Sequence, residues 1–348
     1  TVCAAIGAVI VLKDGTIVGK SKVFLEGRRN LVRTEETNLG NISSDANLWY
    51  ARKFDPQVTV SIKNGGGIRS AVGFVNSVGN NVVLEATQAN PSANKLKGDI
   101  SRLDIENSLR FNNKLVIVST NAKGLKRLLE HGISATKPNA TPGQFPQIGG
   151  VSFSYDTTKT SGNKIKSIVI IDSLGNKKDT ILRNGKLVGD TVKVYKVVTL
   201  NFLANASSPG SQVGGDGYPF PAVTTTRVDL DTAIKAAGTS TFAVIGSEQD
   251  AFAEYMLAKH NTPSTAYNVR DTTLVGDTRI QLLNARPDGI FPPLSAFSLI
   301  GPATNARLTV KDNDTTKVQI SWKASAGAVN YKWLAAYLVE ISQHHWQL

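Results

Sequence analysis

The run Lys63-Asn64-Gly65-Gly66-Gly67-Ile68-Arg69 governs how this chain is read. Upstream of it, Val58, Val60 and Ile62 alternate with Thr59 and Ser61, the period-two pattern of a half-buried strand. The three glycines therefore stand where a strand ends. Glycine at such a place permits positive φ and lets another group come close to the backbone. The Asn64 amide before the turn can read a base edge, and the Arg69 guanidinium after it can read an anion. Taken alone the segment reads as a tight turn, and only the rest of the chain can make it a site.

The chain has 348 residues, 41% hydrophobic and 19% charged, which predicts about two domains with a sizeable core rather than disorder. The formal net charge of +12 favours anionic partners. Lysine and arginine are dispersed without a dense block, so no nucleic-acid partner is expected. A single cysteine, Cys3, excludes an internal disulfide. The apolar stretch from Val2 to Leu12 lacks a basic flank and is read as a strand or connection remnant rather than a signal peptide. No apolar run reaches the length of a membrane span. The missing initiator methionine is read as the mark of a fragment of a longer polypeptide.

Outward from the glycine turn, Leu39, Ile42, Ala46 and Trp49 recur at helical spacing behind a Thr37 or Asn38 cap. Residues 70–100 read as loop, rich in Asn, Ser and Gly. Leu115 to Val118 reads as a strand, and Asn121 to Glu130 as a helix closed by Gly132. Val151, Phe153 and Tyr155 pair with residues 165–171 as a hairpin, and residues 192–200 form another strand. Ser247 with Asp250 starts a helix running to about His260. Residues 287–293 read as a linker. Beyond it Leu308, Val310, Val318, Ile320 and Trp322 read as short strands of a truncated all-β, fibronectin- or immunoglobulin-like segment.

Catalytic machinery is not legible. The four histidines, His131, His260, His344 and His345, sit in no metal-ligand spacing, and there is no nucleophile elbow or P-loop. Binding chemistry is legible. Phe111 and Phe202 on strand-end loops can sandwich a flat ring. Asp216, between Gly215 and Gly217, can accept hydrogen bonds from a ribose diol, and Arg33 and Arg69 can meet phosphate or ribose oxygens. Singly, each has a plainer reading as core aromatic or turn aspartate.

The order of these segments resembles that of a known family. Arg33-Thr34-Glu35-Glu36-Thr37-Asn38-Leu39-Gly40-Asn41, followed by Asp45-Ala46, resembles the E-T-N-L-G-N…D-A segment of the 5′-nucleotidase carboxy-terminal domain. Asn64 to Arg69 is similar to its N-G-G-G-I-R, and Leu109-Arg110-Phe111-Asn112-Asn113 to its L-P-F-G-N loop. Glu130-His131-Gly132 resembles its helix end. Asn201 to Asn205 with Gly214 to Tyr218 resembles N-F-L-A-N-G-G-D-G-Y. Glu35 stands where the family often has a second arginine, Arg110 replaces the proline, and residues 206–213 split the last motif.

The resemblance implies a mixed α/β fold of two sheets with outer helices over residues 21–286, preceded by an interdomain connection (1–20) and followed by a linker (287–293) and a partial β-sandwich-like module (294–348). It implies a domain of an exported, periplasmic or cell-surface hydrolase of nucleotide catabolism, in which a separate calcineurin-like metallophosphatase domain, absent here, holds two divalent metals. This chain alone is then expected to be inactive and to hold no metal. By motif match Phe111 and Phe202 stack on the base, Asn64 hydrogen-bonds it and Asp216 takes the ribose hydroxyls. Arg33 and Arg69 bind ribose and phosphate oxygens, Gly66 and Gly67 shape the turn, and Asn113 joins the substrate-binding set. Alternatives are a broader phosphoesterase acting on sugar or cyclic nucleotides, and a non-catalytic cell-surface nucleotide-binding protein.

Overall fold

The computed structural model describes residues 2–79, 81–233, 238–292, 307–309 and 319–321. The chain divides into two units, Thr1–Pro293 and Leu294–Leu348. In the second, the strands Arg307–Thr309 and Gln319–Ser321 pair antiparallel with Leu308 opposite Ile320. Val310, Val318 and Trp322 lie outside the described residues.

The first unit is mixed α/β, built on two five-stranded sheets. In one sheet the order is Thr226–Asp229, Leu115–Asn121, Val194–Leu200, Val58–Asn64, Pro146–Gly149. In the other it is Lys186–Leu187, Lys177–Arg183, Ile165–Ile171, Val151–Tyr155, Ile280–Leu282. The hairpin expected from Val151 and its neighbours forms between Val151–Tyr155 and Ile165–Ile171. The chain passes from one sheet to the other at Gly150, whose φ of 72° suits glycine and whose absent side chain admits the Thr59 carbonyl. One continuous core joins both sheets, with Ile62 and Val198 in the same cluster as Phe153 and Ile168.

The Val58–Asn64 strand is buried along nearly its whole length, Ser61 and Lys63 included, rather than on one face. It lies inside the sheet, parallel to Val194–Leu200 and antiparallel to Pro146–Gly149. A strand flanked on both edges and covered on both faces has no solvent side. The helix Asn38–Phe54 packs beside it, and the Thr37 hydroxyl caps that helix by accepting from the Gly40 N–H at 3.1 Å. Leu39, Ile42 and Ala46 of this helix join Leu25, Ile68, Phe252 and Met256 in a second core. The helix expected after Ser247 spans Glu248–Lys259, and the Ser247 hydroxyl caps it by accepting from the Asp250 N–H at 3.3 Å.

Four local expectations change. The Val2 to Leu12 stretch lies in a helix, Val2–Asp14, and Ile17–Lys20 pairs with Asp99–Ser101. A helix closes its own backbone hydrogen bonds without a partner strand. Asp14 anchors the end of that helix by accepting from Lys95 Nζ at 2.7 Å. Residues 70–100 include an antiparallel hairpin, Phe74–Val78 with Asn81–Glu85. The helix Ala122–Ser134 runs past Gly132, which serves close packing against Tyr218 and Pro146 rather than termination. Residues 287–292, read as linker, pack on the second sheet: Ile290 is buried, and Asp288 accepts from the Ser167 hydroxyl at 2.8 Å.

Candidate functional site

Sheet topology gathers the segments. Val58–Asn64 and Val194–Leu200 run parallel, so Asn64 and Leu200 end at the same edge of the sheet. Leu115–Asn121 runs antiparallel with Leu115 opposite Leu200, so it begins at that edge, as does Pro146 opposite Asn64. The segments before Leu115, after Leu200 (the short helix Asn201–Ala204), after Asn64 and before Pro146 therefore share one end. They carry Phe111, Phe202, the glycines and Gly143 respectively.

Gly65–Gly67 form a single 3-10 turn, and none of the three has positive φ. Their requirement is close approach. A Cβ on Gly65 would collide with the Val32 carbonyl, and one on Gly66 would lie 2.8 Å from the Gly143 oxygen. Gly67 lies under the Asn64 side chain, where a Cβ would be 3.1 Å from Oδ1. The Gly65 and Gly66 amides donate to the Phe145 and Gly143 carbonyls at 2.6 and 2.8 Å.

The Asn64 amide donates to Asp216 Oδ2 at 2.6 Å, joining motifs 152 residues apart. Because a carboxylate only accepts, this bond fixes the amide, leaving Asn64 Oδ1 as a buried acceptor without a partner. Asp216 itself is left-handed at φ 51°, and its carbonyl meets His131 Nε2 at 2.8 Å. Tyr218 is fully buried, donates to the Gln144 carbonyl at 2.6 Å and packs edge-on against His131. Arg33 is buried with only a long 3.4 Å contact from Nη1 to the Thr141 carbonyl, and its Nε has no partner. Burial lowers its pKa, the charges of Arg29 and Arg69 add to that, and Asp216 opposes it.

Arg69 is exposed. Its backbone N–H donates to the Ser108 carbonyl at 2.8 Å, and its guanidinium lies 5.5 Å from the Phe111 ring centre. Phe111 and Phe202 are 60% and 43% exposed, far from core aromatics. The Phe202 ring rests on Gly215, where a Cβ would come within 2.5 Å of it, so the ring adjoins Asp216. Residues 206–213 do not separate them: the Ser207 N–H donates to the Val213 carbonyl at 2.9 Å and shuts the insertion at its base. Asn113 faces elsewhere, its amide donating to Glu248 Oε1 at 2.9 Å.

Sequence reasoning missed Lys63, Glu248, His131 as a partner of Asp216, and Gln144. Lys63 and Glu248 pair at 2.9 Å with both side chains fully buried, across 185 residues. No local signal announces such a partner. In the sequence Lys63 stood only as the residue before Asn64, and Glu248 was given no role.

A second group of carboxylates lies around Glu35. Burial, then Asp271 and Glu26, push Glu35 up to about 7. Burial, then Glu26 and Glu36, push Asp271 up to about 6 against a hydrogen bond from the Asn38 amide. Burial, then Glu36 and Glu35, push Asp277 up to about 8 against the Thr272 hydroxyl. Among the described residues no group of His, Cys, Asp and Glu is arranged to hold a metal ion. Nor, among those residues, is any helix long and apolar enough to cross a membrane.

The first unit is thus a mixed α/β domain with Arg69, the exposed Phe111 and Phe202 rings and the Asn64–Asp216 pair toward one end of one sheet. The family model for the 5′-nucleotidase C-terminal domain matches residues 17–220, and the chain belongs to that family. The trifunctional nucleotide phosphoesterase protein YfkN of Bacillus subtilis is 29% identical over 201 residues, 58% of this chain and 11% of that protein. Human 5′-nucleotidase is 28% identical over 206 residues, 58% of this chain and 30% of its own length. The chain thus spans less than a third of either relative. In fold, the 5′-nucleotidase precursor from Thermus thermophilus is similar at TM-score 0.56 and 24% identity, over 81% of this chain and 42% of that one.

Proposed function

We propose that this chain is the substrate-gripping domain of a 5′-nucleotidase-type phosphohydrolase, presenting a nucleoside 5′-phosphate to a metallophosphatase domain for metal-dependent hydrolysis in nucleotide catabolism. The observation that carries the reading is the Asn64–Asp216 hydrogen bond, which brings the glycine motif and the G-D-G motif into one site beside Arg33, with Phe202 against Gly215. Phe111 and Phe202 hold the base, Asp216 the ribose, and Arg33 with Arg69 the phosphate or ribose oxygens. Their work is binding and orientation. The relatives' names support an exported or cell-surface setting for the whole enzyme, one of them being a snake venom 5′-nucleotidase.

Calorimetry with adenosine and adenosine 5′-phosphate tests this. Binding that is lost on Asp216→Ala is expected, and no binding of either ligand would overturn it. The purified chain is expected to release no phosphate from adenosine 5′-phosphate with added divalent metal, and metal-dependent release would refute the division of labour. The Bacillus relative's name favours a second reading, a broader phosphoesterase, which a panel of cyclic and sugar nucleotides would reveal.

A further inference from the structure

The strand that ends in Asn64 carries a lysine one residue earlier that never reaches solvent. Lys63 Nζ donates to Glu248 Oε2 at 2.9 Å, both side chains fully buried. The other oxygen of Glu248 accepts from the backbone and side chain of Asn113, at 3.1 and 2.9 Å. The Asn113 carbonyl in turn accepts from the Glu248 N–H at 2.8 Å. On one side of this bond Gln249 Nε2 donates to the Leu109 carbonyl at 2.9 Å, and on the other the Leu115 N–H donates to the Gly246 carbonyl at 2.8 Å. The loop bearing Phe111 is thereby held at both flanks by residues 246–249, and the Glu248 side chain ties it to the strand bearing Asn64.

A buried ion pair is weak evidence for stability, because desolvation offsets most of the attraction and apolar replacements are often as stable. Its geometric effect is stronger. Asn112, left-handed at φ 46°, donates its N–H to the Leu109 carbonyl at 3.0 Å and accepts from the Gln249 N–H at 3.4 Å, while the Phe111 ring beside it is 60% exposed, so no core packing fixes where the ring stands. We infer that Glu248, braced by Lys63, is a positioning residue that sets the distance of Phe111 from the Asn64–Arg69 turn through its hydrogen bonds to Asn113. This rests on the reading of Phe111 as a base-stacking ring. It assigns Asn113 to the loop's anchor rather than to ligand contact.

The test uses adenosine and ribose 5-phosphate, the second lacking a base for Phe111 to meet. Asn113→Ala, which leaves the Lys63–Glu248 pair intact, is expected to weaken adenosine binding about 3- to 10-fold, the scale of one hydrogen bond, with a far smaller change for ribose 5-phosphate and little change in Tm. In a Phe111→Ala background, Asn113→Ala is expected to have no further effect. The paired replacement Lys63→Met with Glu248→Leu removes the same acceptor without stranding a charge, and is expected to reproduce the adenosine-selective loss. Equal weakening of both ligands, or a full additional loss in the Phe111→Ala background, would overturn the assignment by showing direct contact from Asn113. If Phe111→Ala weakens adenosine but Asn113→Ala does not, the positioning role fails alone. If Phe111→Ala itself changes nothing, the base-stacking reading fails and takes this role with it.

Discussion

Two of the buried clusters of charge in the first unit are built on opposite rules. Lys63, Glu248 and Asn113 satisfy one another across 185 residues of chain, and every oxygen of Glu248 has a donor. Glu35, Asp271 and Asp277 meet mainly like charge, from one another and from Glu26 and Glu36, and Asp277 Oδ2 has no partner at all. The first holds two site loops at a fixed separation. In the second, ionising any one carboxyl is opposed by burial and by its neighbours, and all three are raised. Burial alone therefore does not say what a charged residue is for; the sign of its nearest partner does.

The largest effect should come from breaking the paired cluster. Lys63→Met leaves Glu248 charged and unmatched, and is expected to cost about 3–5 kcal/mol in denaturant unfolding. Adding Glu248→Leu should recover most of it. A single variant as stable as the parent would mean that the pair is not closed in solution.

The repelling cluster predicts a pH dependence. These carboxyls are raised in the fold, so their contribution is full at pH below about 4, where folded and unfolded chains alike hold the protons. As pH rises the unfolded chain ionises first, and the contribution drains away until Asp277 itself ionises near 8. Tm should fall between about pH 5 and 9, and Glu35→Gln with Asp277→Asn should flatten that slope. A slope unchanged by both substitutions would show that other groups dominate.

Smaller effects belong to the site at the sheet edge. Phe202→Ala should weaken adenosine binding by about 1–3 kcal/mol, the stacking scale, and unchanged calorimetric affinity would argue against the aromatic clamp. Arg69→Lys keeps the charge but loses the planar fork and the ring contact with Phe111. A loss of about 1 kcal/mol in nucleotide affinity is expected, by the scale of exposed cation–π contacts. Equal affinity would make Arg69 structural.

Much of the fold was legible where one local signal suffices. Thr37 capped its helix, Ser247 started another, and the alternating serines of the Val151 strand formed their hairpin. Composition alone was misleading: Val2 to Leu12, read as strand or connection, lies in a helix, and residues 70–100, read as loop from their Asn, Ser and Gly, include a hairpin. In the site, Arg33, Asn64, Arg69, Phe111, Phe202 and Asp216 were all named from their types and order. Asn113 was named too, but its partner could not be.

Residue types alone settled the chemistry offered at the sheet edge, since an amide, guanidiniums, two aromatic rings and a carboxylate belong to residues and not to folds. The order of residues also settled that glycine follows Asn64. The reason it must is a matter of packing. The turn needs no positive φ; it needs room for the carbonyls of Val32 and Gly143, which approach from distant segments. The same holds for Lys63 and Glu248. An ion pair is legible in sequence when its members lie a helical turn apart, and these two meet only because a parallel strand pair and an antiparallel neighbour bring their ends together.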